Sequence, residues 1–297
     1  GDEVISQAVT FVATCNAIEY CRAVPVFVDV ELDTMGMSPK ALRLFLEKFG
    51  EKRQLGTYNR KTGRRISAVV PMHTFGFPCA ILELAEICEE WGIILIEDAA
   101  ESLGSYVGNQ HTGTFGAVGA FSFNGNKVIT TGGGGMLVTN NSEIASRAKH
   151  LTTTSKVPHP FEFEHDSIGY NYRMPNLNAA LGCAQMEGLK DQLLSKYRVS
   201  RKWQKFFESY PVDFVVAAEG CKANFWLNAI ILKSEKERDE FLEYTNAAGV
   251  LTRPIWKLMT SLKMFRDCQS DDLKASVWLS QRVVNIPSSA LNPLVSE

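Results

Sequence analysis

The chain of 297 residues lacks the features that mark several common protein classes. Its formal net charge is only −2, which gives no electrostatic case for binding nucleic acid or an anionic membrane. Apolar runs all fall short of the roughly 20 residues that span a bilayer, and no basic-then-apolar leader is present. We therefore expect a cytoplasmic protein with neither a nucleic-acid partner nor a membrane partner.

Motifs for metals and nucleotides are also missing. None of the seven cysteines forms a CxxC pair or lies at zinc spacing with one of the five histidines, so we expect reduced thiols and no metal site. The four glycines at 132–135 carry neither the GK[ST] of a P-loop nor a GxGxxG pattern with a following acidic partner. This run is interpreted as a tight turn.

The first half of the chain alternates short β-branched runs with helical patterns. Apolar residues make up 45% and charged residues 22%, as in an ordinary globular protein. Such alternation is typical of an α/β domain with a mostly parallel sheet. The predicted strands are 4–9, 24–30, 68–73, 93–98, 118–123 and 135–139, and the predicted covering helices are 38–49 and 81–91.

The pattern changes after about residue 152. A long helix is predicted over about 175–203, followed by a strand at 225–232, a helix at 235–248 and a strand at 283–286. We expect a large domain over 1–200 and a smaller α+β domain over 201–297. The chain runs almost at once into its first strand, so an upstream part of the large domain is expected to be missing.

Lys127 is the most informative residue, since it follows a short apolar strand and precedes the glycine run. Desolvation at such a place lowers the pKa of a lysine, which can then form a Schiff base. Asp98 ends an apolar strand, where it either faces a cation or caps a helix starting at Ala99. A lysine paired with an acid for a pyridinium nitrogen is the minimal arrangement of a pyridoxal phosphate site.

Other candidates surround these two residues in the predicted fold. Ser122 can offer a hydroxyl to a phosphate, although an ordinary strand residue is the alternative. Phe11 follows the first strand and can lie against a flat ring, or it can be a core aromatic. Asn171 and Arg173 precede the long helix, and a guanidinium there suits a carboxylate or phosphate, with a solvated surface arginine as the alternative. His165 and Arg253 are weaker candidates of the same type.

Taken together, these segments resemble the DegT/DnrJ/EryC1/StrS family of pyridoxal-phosphate-dependent nucleotide-sugar aminotransferases. The resemblance is carried in family order by GDEVI at 1–5, TFVAT at 10–14, PVFVD at 25–29, EDAAE at 97–101, FSF at 121–123 leading to Lys127, and GYNYRM at 169–174. The segments NGNK at 124–127, PNLNAA at 175–180, Thr-Arg-Pro at 252–254 and VNIPSS at 284–289 look most like the 4-aminotransferases of legionaminic acid synthesis. The implied fold is type I of the pyridoxal-phosphate-dependent transferases, as in aspartate aminotransferase.

The resemblance also implies roles for individual residues. Lys127 would form the Schiff base and shuttle the proton, and Asp98 would keep the pyridine nitrogen protonated. Glu101 matches the position that reaches toward the ring hydroxyl, Phe11 the position that stacks on the ring, and Ser122 a phosphate contact.

Further implied roles involve a second subunit and the substrates. Asn171 would reach over from a neighbouring subunit, which implies a homodimer with shared active sites. Arg173, His165 and Arg253 would contact L-glutamate or the nucleotide-linked sugar.

The implied reaction moves an amino group from glutamate to C4 of a nucleotide-linked 4-keto-6-deoxy sugar, expected to carry a 2-acetamido group, for a surface glycan of the legionaminic type. A lysine at position 127 argues against the related sugar 3-dehydratases, which have histidine there. The alternatives are a perosamine-synthase-like enzyme acting on a GDP-sugar, a 3-keto-sugar aminotransferase, and a truncated, non-catalytic member. The last alternative arises because the family's phosphate-binding Ser-Gly-Thr turn lies upstream of GDEVI.

Overall fold

The computed structural model of the protein describes residues 1–291, which contain both strands and helices. The strands are β1 (Glu3–Gln7), β2 (Val24–Val28), β3 (Gly50–Arg53), β4 (Gly56–Asn59), β5 (Ile66–Val70), β6 (Ile94–Asp98), β7 (Tyr106–Val107), β8 (Gln110–His111), β9 (Val118–Ser122), β10 (Gly135–Val138), β11 (Lys156–Val157), β12 (Glu164–His165), β13 (Asp213–Phe214), β14 (Cys221–Lys222), β15 (Asn228–Ile231), β16 (Arg253–Pro254) and β17 (Val283–Ile286). The helices are α1 (Val12–Tyr20), α2 (Pro39–Phe49), α3 (Ile81–Trp91), α4 (Ser142–Thr152), α5 (Asn176–Glu187), α6 (Leu189–Phe207), α7 (Glu235–Ala247) and α8 (Lys274–Ser280).

A six-stranded sheet forms the centre of the first half, in the order β10-β9-β6-β5-β1-β2. Neighbouring strands are parallel except for β10, which runs antiparallel to β9. This arrangement confirms the predicted α/β fold with a mostly parallel sheet. The six predicted strands differ from the observed ones by at most three residues at either end.

Helices α2 and α3 cover one face of this sheet because each presents an apolar stripe to it. Leu42 and Leu46 of α2 and Leu84 of α3 are fully buried against strand residues such as Ile5. Full burial of each such side chain contributes about 1.5–3 kcal/mol. Helix α2 begins where the sequence indicates, since the Ser38 side chain accepts a hydrogen bond from the Ala41 amide at 3.2 Å.

The second half contains a four-stranded antiparallel sheet in the order β13-β15-β17-β16. Phe207 of α6 and residues of α7 pack on its strands β15 and β17. The predicted helix over 175–203 is instead two helices, α5 and α6, which meet at Gly188. The strand predicted from residue 225 begins only at Asn228, because Phe225 has a φ of 51°, outside the strand region.

The two halves share one apolar cluster, in which Phe75 and Phe77 pack with Trp226, Leu279 and Val283. The predicted domain boundary between residues 200 and 201 falls inside α6, and the two-domain division stays a prediction. Helix α4 was not predicted. Its start carries a recognisable signal, since the Asn141 side chain accepts hydrogen bonds from the amides of Glu143 and Ile144.

Strand β10 and helix α5 carry unusually exposed apolar side chains. Met136 and Leu137 on β10 are each 53% exposed, and Leu177 on α5 is 86% exposed. Within residues 1–291, every helix is too short or too polar to cross a membrane.

Candidate active site

A cavity of about 650 Å³ lies against one face of the central sheet and reaches the carboxyl ends of β6 and β9. Ligands bind at these strand ends in open α/β sheets. Five of the residues predicted from the sequence line it, namely Phe11, Asp98, Glu101, Ser122 and Lys127. The structure therefore brings together the predicted lysine, its acid partner and three of their expected neighbours.

Lys127 lies in a turn just after β9, where its amide donates a hydrogen bond to the Asn124 carbonyl at 3.0 Å. Its side chain is only 13% exposed, and Nζ lies 3.7 Å from Oε1 of Glu101. Burial lowers the pKa of Lys127, although the nearby carboxyl groups of Glu101 and Asp98 oppose this effect. The sequence-based expectation of a desolvated lysine agrees with this environment, which favours the nucleophilic free amine.

Glu101 is almost fully buried beside this lysine. Its Oε2 accepts a hydrogen bond from the Phe75 amide at 2.8 Å. Burial raises the pKa of Glu101 to about 8, with the charge of Lys127 opposing the increase and that of Asp98 adding to it. The carboxyl group is therefore available as a proton donor at neutral pH.

Asp98 is the last residue of β6, and its side chain faces the cavity. Its Oδ2 accepts a hydrogen bond from the Thr14 hydroxyl at 2.5 Å, and its Oδ1 accepts one from the Ala100 amide at 3.1 Å. Residues 99–104 form turns, so the alternative of Asp98 as the cap of a helix at Ala99 is wrong.

Aromatic residues form part of the cavity wall. Phe11 precedes α1, is 50% exposed, and its ring centroid lies 6.3 Å from that of Trp256. Its alternative role as a core aromatic is therefore wrong. Ser122 is the last residue of β9, and its hydroxyl accepts a hydrogen bond from the Asn124 amide at 3.3 Å.

The remaining four predicted residues lie outside the lysine cavity. Asn171 and Arg173 line a separate cavity of about 680 Å³ together with Lys156. His165 is exposed on β12, and its Nδ1 donates to the Thr154 carbonyl at 2.7 Å.

Arg253 is also exposed, on β16, and hydrogen-bonds Oδ1 of Asn246 at 2.9 Å. None of these contacts tests the substrate or cofactor roles expected from the sequence, which stay predictions.

Sequence reasoning missed three cavity residues: Thr14 as the partner of Asp98, and the two tryptophans Trp226 and Trp256. Nζ of Lys127 lies 3.9 Å from the ring centroid of Trp226. Trp226 is 99 residues away along the chain, and no local pattern signals such a contact.

Comparison with known proteins decides the family. The model of the DegT/DnrJ/EryC1/StrS aminotransferase family matches residues 1–292. The chain belongs to this family. This confirms the resemblance seen in the sequence, and aminotransferases of the family depend on pyridoxal phosphate, the predicted cofactor.

Individual relatives of this DegT/DnrJ/EryC1/StrS member include one protein named as an aminotransferase and one named as a synthase. EpsN of Bacillus subtilis, provisionally described as pyridoxal phosphate-dependent, is 36% identical over 266 residues, which are 89% of this chain and 66% of EpsN. GDP-perosamine synthase of Vibrio cholerae is 33% identical over 291 residues, 97% of this chain and 75% of that protein. The chain thus spans between 66% and 75% of the length of these relatives.

A solved structure confirms the predicted fold. The aminotransferase PseC of Helicobacter pylori, involved in pseudaminic acid biosynthesis, superposes with a TM-score of 0.88 at 23% identity. The superposition covers 99% of this chain and 76% of PseC. The family member described here therefore has the type I fold of pyridoxal-phosphate-dependent transferases.

The residues of the cavity fit pyridoxal phosphate. Its volume of about 650 Å³ is within the range of small-molecule sites. Asp98 supplies an anion suited to a protonated ring nitrogen, and Lys127 supplies a buried amine with a lowered pKa. Phe11 offers an exposed aromatic face for the ring, and Ser122 a hydroxyl for the phosphate.

Proposed function

We propose that the protein transfers an amino group from L-glutamate to a keto sugar carried on a nucleotide, using pyridoxal phosphate. The observation that carries this proposal is the buried Lys127 amine, which lies 3.7 Å from Glu101 in a cavity that Asp98 also lines. A lysine with a lowered pKa beside an acid that suits a pyridinium is the chemistry that transamination requires.

Pyridoxal phosphate, when bound, supplies the electron sink that makes a carbon-bound proton labile. With this cofactor bound, Asp98 would stabilise the proton on the ring nitrogen, and its hydrogen bond from Thr14 fixes the orientation of the carboxylate. Nζ of Lys127 would accept the labile proton and return it to a different carbon. Glu101, which lies beside the lysine and has a raised pKa, would donate a hydrogen bond to the ring hydroxyl.

Phe11, Trp226 and Trp256 wall the cavity and exclude water from the reacting groups. Arg173, His165 and Arg253 are proposed to bind the anionic groups of glutamate or the sugar nucleotide. The compartment proposed for the reaction is the cytoplasm.

We further propose a homodimer in which Asn171 completes the site of the neighbouring subunit. Support comes from the exposed apolar side chains of β10 and α5, and from a cavity that Arg173 lines together with Leu137 of β10. A complementation experiment tests this proposal. Mixed dimers of Lys127→Ala and Asn171→Ala contain one intact site, so about a quarter of wild-type activity is expected from a statistical mixture of the two inactive proteins. Recovery of no activity from dimers shown to exchange subunits contradicts the proposal.

The proposed acceptor is C4 of a 4-keto-6-deoxy-2-acetamido sugar of the legionaminic type. A second candidate is a GDP-linked 4-keto sugar, favoured by the 33% identity to GDP-perosamine synthase of Vibrio cholerae. Discrimination between carriers depends on pocket contacts with the nucleotide. Assay of a panel of UDP- and GDP-linked 4-keto and 3-keto sugars with glutamate separates the candidates. Activity only on 3-keto sugars overturns the C4 assignment.

The competing function of another class is ligand binding without turnover. Single-turnover conversion of the bound cofactor by glutamate distinguishes the two, since a non-catalytic protein binds the cofactor without converting it. Lys127→Ala serves as the control because it removes the amine, with its methylene stem, and keeps the other residues of the cavity.

A further inference from the structure

Trp226 contacts Lys127 at two places. The ammonium nitrogen lies 3.9 Å from the centroid of the tryptophan ring, within the distance of a cation–π interaction. The indole N–H donates a hydrogen bond at 2.7 Å to the carbonyl of Asn126, the residue directly before Lys127. The indole therefore fixes both the backbone that carries the lysine and the position of its amine.

A buried asparagine holds Trp226 in this orientation. Asn224 is 2% exposed, and its Oδ1 accepts a hydrogen bond from the Trp226 amide at 2.7 Å. Its side-chain amide donates to the carbonyls of Glu101 at 2.7 Å and Leu103 at 2.9 Å. Between the two residues, Phe225 has a φ of 51°, a conformation that costs energy and is kept only where the surroundings impose it. The segment 224–226 is thus fixed to the segment that carries Glu101.

The charged groups that face the lysine amine are few. Glu101 lies 3.7 Å away, and the carboxylate of Asp98 acts on the amine through space. Burial raises the pKa of Glu101 to about 8, so this carboxyl group is a weak anionic partner at neutral pH. The face of an indole stabilises a cation without itself titrating, and its attraction is modest enough for the amine to leave.

We infer that Trp226 is a positioning residue that holds the amine of Lys127 in place beside Glu101. The inference deepens the proposed function, because it concerns how the same lysine is held between its chemical steps. It concerns a contact between two residues of this chain, so it can be tested separately from transamination.

The test measures acylation of Lys127 in the cofactor-free full chain by an amine-reactive anhydride, followed by peptide mass spectrometry over a range of pH. Only the free amine reacts, so the midpoint of the plot of acylation rate against pH reports the protonation of Lys127. A change in the access of the reagent to the amine alters the rate by the same factor at every pH and leaves the midpoint in place. In Trp226→Leu the Lys127 ammonium loses its aromatic partner, so its pKa is expected to fall. At a pH below the midpoint, the acylation rate divided by its plateau value at high pH is then expected to be at least about threefold higher than in wild type. Trp226→Phe keeps a ring and is expected to remain close to wild type.

Trp278 provides the matched control, since its ring also lies under a cation, 4.8 Å from the Arg282 guanidinium carbon, but outside the lysine cavity. Trp278→Leu is expected to leave the Lys127 profile unchanged. The inference is overturned if the acylation midpoint of Lys127 in Trp226→Leu is the same as in wild type or lies at higher pH. It is also overturned if Trp226→Phe shifts the midpoint as much as Trp226→Leu does. If Trp226→Leu lowers the acylation midpoint of Lys127 but the wild-type protein does not transaminate, the proposed function is contradicted and the inference about Trp226 is not.

Discussion

Glu101 and Lys127 form a buried pair in which burial acts in opposite directions on the two charges. Burial raises the pKa of Glu101 and lowers that of Lys127, so both shifts favour the neutral forms. Opposite pKa shifts of a neighbouring acid and base are typical of acid–base sites in enzymes. The pair is therefore suited to exchanging protons, with the Glu101 carboxyl still protonated at neutral pH.

The raised pKa of Glu101 has a consequence for stability that can be measured. In the native state this carboxyl keeps its proton up to about pH 8, whereas in the unfolded chain it loses it near the ordinary value of 4.5. The native state thus binds the proton more tightly, and this group lowers stability progressively as the pH rises from 4.5 to 8. Glu101→Gln removes the titration and keeps an oxygen for the Phe75 amide.

We expect Glu101→Gln to flatten the decline of stability with pH, with a gain over wild type of more than about 1 kcal/mol by pH 8. Urea unfolding of both cofactor-free proteins at several pH values provides the measurement. Parallel curves for the two proteins contradict the raised pKa.

Among individual residues, the sequence predicted those of the active site that lie in recognisable local segments, but not the residues that contact them from elsewhere in the chain. Asp98 was found because it ends a recognisable strand and Lys127 because it closely follows another. Parallel strands end at the same edge of the sheet, which brings the two residues together. Trp226 and Thr14 approach them only through tertiary packing, which leaves no trace in local spacing.

At the scale of elements, the connection between β6 and β9 is held by one buried carboxylate. Glu97 on β6 accepts hydrogen bonds from the amides of Gly113 at 2.6 Å, Phe115 at 2.6 Å and Gly116 at 2.8 Å. His73 lies 3.0 Å from the same side chain. Burial opposes ionisation of Glu97, but the hydrogen bonds from His73 and from the backbone amides outweigh it and lower its pKa.

Because the native pKa of Glu97 is lowered, its contribution to stability is fully present above the ordinary pKa and is lost as the pH falls through the native value. Glu97→Gln replaces one acceptor oxygen by an NH₂ group that faces the N–H donors of the surrounding residues. The free energy of unfolding at pH 7, measured by chemical unfolding, is therefore expected to fall by about 2–4 kcal/mol. The exposed Glu90, which pairs with Arg43, is the control, and Glu90→Gln is expected to change little. Equal effects of the two substitutions are incompatible with the role given to Glu97.

The loop that carries Trp226 depends on a close approach at Gly76. This glycine has a φ of 90°, and a Cβ atom there would overlap Oδ1 of Asn224. Gly63 has a similar φ of 73° but has open space around it. Gly76→Ala is therefore expected to lower the free energy of unfolding by about 2 kcal/mol more than Gly63→Ala, because only the former adds a clash to the backbone strain. Similar losses in thermal or chemical unfolding contradict this packing.

Elements were predicted best where an apolar run had a clear period. The six strands of the central sheet and helix α3 follow such runs closely. The break between α5 and α6 at Gly188 was missed because a single glycine can also occur inside a helix. The late start of β15 was missed because the sequence carries no signal for the positive φ of Phe225.

At the scale of the whole molecule, the two halves meet at the active-site cavity. Strands β6 and β9 of the central sheet and the turn after β9 supply Asp98, Ser122 and Lys127, while Trp226 and Trp256 come from the second half. The mostly parallel sheet was predictable from sequence period, whereas for the second half the sequence predicted only an α+β arrangement with two of the four strands. Their joint contribution to one cavity was not predictable, because it depends on packing across more than 100 residues of chain.

The proposed transamination requires Lys127 to bind pyridoxal phosphate covalently. The most direct measurement mixes the protein with pyridoxal phosphate, reduces the adduct with borohydride and locates it by peptide mass spectrometry. The adduct is expected on Lys127, together with an absorbance band that disappears in Lys127→Ala. A band that persists in Lys127→Ala, or an adduct found only on other lysines, would contradict it.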